Sequence, residues 1–87
     1  MTIRKEVAVF AAVMEQKLSE NDHKRHWSHC SRQYLFTRLH QETKELSRAV
    51  RCGEGALAVL REAADVANIA MMIADNETRD HEDEEAR

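Results

Sequence analysis

Apolar residues near the N-terminus fall at Ile3, Val7, Phe10, Met14 and Leu18, with spacings of 4, 3, 4 and 4 that keep one face of an α-helix hydrophobic. Thr2 is the expected N-cap, and the helix should end near Ser19 to Asn21. Between Asn21 and Ser28 the period is lost. This polar, basic run carries Trp27 and reads as a connection with at most one helical turn, closed by Ser28 as the next N-cap. A second helix is expected from about His29 to Cys52, with Leu35, Leu39, Leu46 and Val50 on its buried stripe and Gly53 as the stop residue. The third starts near Gly55 or Ala56. From there to Ala74 it is apolar on nearly every face, interrupted chiefly by Arg61, Glu62, Asp65 and Asn68, so it needs neighbours on more than one side. Two other helices in so small a chain do not cover it. The pattern therefore predicts a homo-oligomer with this helix in the interface.

Composition sharpens the picture. Eighty-seven residues make one domain, and the absence of proline, with glycine only at positions 53 and 55, favours helix over a turn-rich β architecture. The expected class is all-α: a helical hairpin within a small helix bundle, its four-helix-bundle-like core completed by oligomerisation. Residues 1–76 form the single helical domain. Residues 77–87 offer one alanine and no larger apolar side chain, so a frayed or disordered acidic tail is expected there. No run approaches the ~20 apolar residues of a membrane span. The N-terminus lacks a recognisable cleavage site, and the two cysteines, Cys30 and Cys52, read as free thiols; a cytosolic protein is expected.

The net charge of −3 hides an asymmetry, because residues 21–52 hold seven Lys or Arg against three acids while residues 53–87 hold ten acids against three Arg. An anionic ligand would meet the basic segment.

Two acidic pairs interrupt the apolar stripes at i, i+3 spacing: Glu42 with Glu45, and Glu62 with Asp65. Each pair lies on one helix face, and Glu42 stands where the stripe Leu35, Leu39, Leu46, Ala49 calls for an apolar residue. Ala58, Ile69 and Met72 flank Glu62 and Asp65 in the same way. A hairpin folded about Gly53 and Glu54 pairs residues whose numbers sum to 107, which sets Glu42 opposite Asp65 and Glu45 opposite Glu62. Four anions at a packed seam need compensation, since desolvating each costs several kcal/mol and their mutual repulsion adds to it. A divalent cation supplies it. All-oxygen donors favour Mg²⁺, with Mn²⁺ possible, over Zn²⁺.

These acids resemble the signature of the MazG-like, all-α nucleoside triphosphate pyrophosphohydrolases, EExxE followed after a variable gap by ExxD. Here it reads Gln41-Glu42-Thr43-Lys44-Glu45, a gap of 16 residues, then Glu62-Ala63-Ala64-Asp65. The run from Glu62 to Asp75 looks like small phage and bacterial members, and Met14 to Leu18 and Lys24 to Trp27 are also similar, so the likeness covers about Phe10 to Asn76. Gln41 departs from the pattern by replacing the first acid. The resemblance implies that Glu42, Glu45, Glu62 and Asp65 bind Mg²⁺, that the metal grips a triphosphate, and that an activated water releases pyrophosphate to leave a monophosphate. It also implies a homodimer or a dimer of dimers.

Glu45 is a candidate general base, as a carboxylate not fully used by the metal. Lys24 is a candidate phosphate contact, with Arg25 beside it. Trp27 can stack on a nucleobase or serve as a hydrophobic staple. Asn68, one turn after Asp65, can donate to substrate or satisfy buried backbone groups, and Asp75 reads as a surface acid at the helix end. Three other readings compete. His23, His26, His29 and Cys30 could form a structural zinc site, although their spacing matches no recognised finger. Lys24, Arg25, Arg32 and Arg38, interleaved with Trp27 and Tyr34, could serve a nucleic-acid-binding module, against which net acidity counts. A non-catalytic helical assembly partner is the third.

Overall fold

The computed structural model describes the backbone of residues 1–86 and the side chains of residues 1–79. Three α-helices account for most of the chain: α1 at Lys5–Ser19, α2 at Arg32–Arg51 and α3 at Ala56–Ala86, with one 3-10 turn at Trp27–His29. No strand occurs among the described residues, so the expected all-α class holds. No described helix is long and apolar enough to cross a membrane. Cys30 and Cys52 are both free thiols.

Helix boundaries follow from where the backbone finds its partners. Thr2 does not cap α1. Arg4 takes that position without a side-chain cap, and its carbonyl accepts the Ala8 N–H at 3.0 Å. Ser28 does not cap α2 either, because His26 Nδ1 accepts the Ser28 N–H at 3.1 Å and turns the chain into the 3-10 segment first. Cys30 is extended, and Ser31 caps α2 by accepting the Tyr34 N–H at 3.1 Å. The expected second-helix start was thus three residues early, since two serines and a histidine compete for the same orphan donors.

The α2–α3 turn conforms to the sequence expectation. Glu54 N–H donates to Ala49 O at 3.1 Å and Gly53 N–H to Val50 O at 3.3 Å, the paired bonds of a Schellman motif. Gly53 sits at φ +61°, where a Cβ would be strained.

Sequence reading ends the ordered domain at Asn76, but α3 runs on without a break. Glu77 accepts from Arg32 Nη2 at 3.0 Å, Thr78 bonds back to Ala74 O at 2.9 Å, and Arg79 pairs with Asp75 at 2.8 Å. Local pairing of these polar side chains carries the helix where no apolar face is available. The rest of the expected acidic tail involves side chains from Asp80 onward, and Arg87, outside the described residues.

Helix α3 is the spine. Among the described residues α2 and α1 each pack on α3 and not on one another, which leaves a cleft between them with α3 as its floor. The buried apolar residues are few: Leu35 and Ala49 from α2, Ala64 and Ile69 from α3. The small Ala49 and Ala64 allow the backbones to come close. No residue of α1 is buried, and Val7 and Val9 on α1, Phe36 and Val50 on α2, and Leu57 on α3 are exposed.

Candidate metal centre

The hairpin register brings the acidic pairs together. Glu42, on the seam of α2, is 5% exposed, and Glu62 and Asp65 are half-buried on α3. One carboxylate oxygen from each of Glu42, Glu62 and Asp65 lies within 4.8 Å of the other two. Among the described residues this is the only such group of potential ligands; His23, His26, His29 and Cys30 do not form one. Instead His26 Nδ1 meets the Ser28 hydroxyl at 2.9 Å and His29 Nδ1 meets Arg25 Nη2 at 3.3 Å. Glu45 is exposed and stands outside the tight trio, yet its carboxyl is within hydrogen-bonding reach of both Glu42 and Glu62.

Electrostatics follow from this crowding. Burial raises the Glu42 pKa above its ordinary 4.5, the Glu45 charge adds to the rise, and the Arg38 guanidinium opposes it. Burial likewise raises Glu62, helped by Glu45 and Asp65 and opposed by Lys17. Arg38 Nη2 donates to Glu42 Oε1 at 2.7 Å, and Lys17 Nζ lies 3.3 Å from Asp65 Oδ1. Two cations therefore face four carboxyl groups, leaving about −2 when all are ionised.

Glu42 Oε2 and Glu62 Oε2 are both buried without a hydrogen-bond partner. A neutral packed seam has no use for such acceptors, and leaving them unmade is costly. Hard oxygen donors, converging, with two buried atoms unsatisfied, fit a divalent cation of the Mg²⁺ or Mn²⁺ kind.

The cleft beside the trio has a volume of about 320 Å³, and Glu42, Asp65 and Asn68 line it together with Lys24 and Trp27 from the connecting segment. All three expected substrate-binding residues thus border one space. Asn68 is 4% exposed and its Nδ2 donates to Met14 O at 3.1 Å, tying α3 to α1. One of its two amide hydrogens is thus used on backbone, as the alternative sequence reading has it, and the acceptor Oδ1 is buried without a partner. Lys24 is exposed and enters no ion pair among the described residues.

Trp27 is not merely a staple. Its indole N–H donates to Asp75 Oδ2 at 2.9 Å, its carbonyl accepts from Asn76 Nδ2 at 3.1 Å, and its ring lies against His26 with centroids 4.0 Å apart. Asp75, read from sequence as a surface acid, is the anchor of the only tryptophan, and bonds from Arg79 and Trp27 hold its carboxyl below the ordinary range. Asp75→Ala is expected to free the indole. Its emission should shift to the red, as read by fluorescence.

Sequence reasoning missed Lys17, Arg38 and Asp75. Arg38 had a visible signal, four residues before Glu42 on the same helical face. Lys17 and Asp75 act across helices, at 48 residues' separation in each case, where no local period reports them. Arg32 and Arg38, two bases of the conceivable nucleic-acid face, are engaged with Glu77 and Glu42. Compared with protein-family models, curated proteins and solved structures, the chain matches none.

Proposed function

We propose that this chain is a Mg²⁺-dependent nucleoside triphosphate pyrophosphohydrolase, MazG-like in its chemistry, acting in the cytosol as a homodimer or dimer of dimers. The observation that carries the reading is the convergence of Glu42, Glu62 and Asp65 within 4.8 Å, with buried unpartnered oxygens on both glutamates, beside a cleft that Glu42 and Asp65 line together with Lys24 and Trp27. Glu42, Glu62 and Asp65 would hold the cation, with Glu45 close enough to join them. When bound, it would neutralise phosphate oxygens and make water a stronger nucleophile.

The chain's own groups supply the rest. Lys24 draws the polyphosphate into the cleft, and the fixed face of Trp27 supports a planar base. Glu45, exposed at the edge of the trio, accepts a proton from water as its oxygen attacks the α-phosphorus; the bond to the bridging oxygen breaks and pyrophosphate leaves. Gln41 is exposed and within 3.5 Å of Arg38, so its replacement of an acid leaves the trio itself unchanged.

Oligomerisation is supported by the apolar side chains of Val7, Val9, Phe36, Val50 and Leu57, which are exposed in the single chain.

A panel of NTPs and dNTPs with Mg²⁺ should yield pyrophosphate and monophosphate. Orthophosphate as the main product, or no turnover of any nucleotide, would overturn the assignment. With Mn²⁺ at about 100 times its Kd the protein should melt at least ~10 °C higher than in EDTA, as ligation of the folded state alone requires.

A further inference from the structure

Lys17 reaches the acidic trio from a helix that contributes none of its carboxylates. Its side chain is 16% exposed, with Nζ 3.3 Å from Asp65 Oδ1 and 3.8 Å from Glu20 Oε1. Glu20 is itself held from α3, since Arg61 Nη2 donates to both of its oxygens at 3.1 Å. One ammonium thus lies between a candidate metal ligand and a second carboxylate outside the trio. Arg38, the other cation at the trio, has among the described residues only the neutral Gln41 beside Glu42.

A divalent cation and the Lys17 ammonium would bind the same Asp65 carboxylate, and the dication outcompetes a single charge for it. The flexible four-carbon stem of lysine makes the change from Asp65 to Glu20 a matter of side-chain rotation. We propose that Lys17 is an internal counter-ion that holds Asp65 when the trio lacks its metal and transfers to Glu20 when the metal binds. This rests on the metal reading above and goes beyond it. Lys17 keeps the carboxylates from repelling one another apart, at the cost of metal affinity. On transfer the direct Lys17–Asp65 link between α1 and α3 is given up, so metal uptake leaves Glu20–Arg61 and the Asn68 amide to hold that wall of the cleft.

The test is a double-mutant cycle on the full chain, read by calorimetric titration with Mn²⁺ alone. Lys17→Met keeps the stem and removes the competitor, so Mn²⁺ should bind about tenfold tighter. Glu20→Gln removes the receiving carboxylate, so Mn²⁺ should bind severalfold more weakly. In the Lys17→Met background Glu20→Gln should have no effect. Unchanged or weaker binding by Lys17→Met overturns the proposal. So does a Glu20→Gln effect of equal size in both backgrounds, which is what a simple through-space field gives. Glu20 is exposed and its variant tests the same transfer if Lys17→Met proves unfolded by circular dichroism: unaltered Mn²⁺ affinity in Glu20→Gln then overturns it. Wild-type protein that takes up no Mn²⁺ removes the metal site itself, whereas Mn²⁺ binding with an additive cycle removes only the transfer.

Discussion

Glu62→Gln is expected to leave the helices intact and to cut pyrophosphate release by about 10³-fold, because an amide of nearly the same shape removes one anionic oxygen donor from the trio. Stability should move the other way. Glu62 titrates above its ordinary 4.5 in the folded protein, so the folded state retains a proton that the unfolded chain has lost, and stability falls as pH rises through that window. Above that window, in EDTA, the wild type carries this deficit. The glutamine variant lacks it and should melt above the wild type in EDTA, as thermal denaturation would show. The Mn²⁺-induced rise in Tm should shrink in the same variant. Lost turnover with increased metal-free stability separates a functional carboxylate from a structural one; full activity would refute the site assignment.

The second large effect concerns the exposed apolar residues. Val9 is 56% and Leu57 69% exposed in the single chain, and Val9, Phe10 and Leu60 line a shallow groove between α1 and the start of α3. Charged residues at such exposed positions cost a monomer within about 0.5 kcal/mol. If a second copy covers this face, Val9→Glu combined with Leu57→Glu places two carboxylates in an apolar interface. The double variant should then sediment at the 10.1 kDa of one chain and melt more than ~10 °C below wild type. An unchanged Tm and unchanged sedimentation would move the interface elsewhere or remove it.

Local periodicity made the helical hairpin legible. Gly53 ends α2, Ala56 starts α3, and the sum rule of 107 brings Glu42 towards Asp65 and Glu45 towards Glu62. The seam position of Glu42 was readable because an acid replaces an apolar residue in an otherwise regular stripe. The placement of α1 was not. Its stripe of Ile3, Val7, Phe10, Met14 and Leu18 predicts a core face, yet Ile3 and Val7 are exposed in the single chain. Periodicity says which face is apolar and not what meets it. Ser28 and Ser31 are equivalent as caps until the His26 side chain selects between them, and Lys17 gains its meaning only from Asp65 on another helix.

The cleft is asymmetric in what holds its sides. On the α2 side, Leu35 and Ala49 are buried at the hairpin seam, and Gly53 fixes the turn that joins α2 to α3. The α1 side has no fully buried residue: its Phe10, Val13, Met14 and Leu18 are half-buried, and Glu20–Arg61, Lys17–Asp65 and the amide of Asn68 tie it to α3. Ionic strength screens the two ion pairs of the α1 side and hardly touches the apolar seam of the α2 side. The cavity has one firm jaw and one compliant jaw, and electrolyte is the dial that acts on the compliant one.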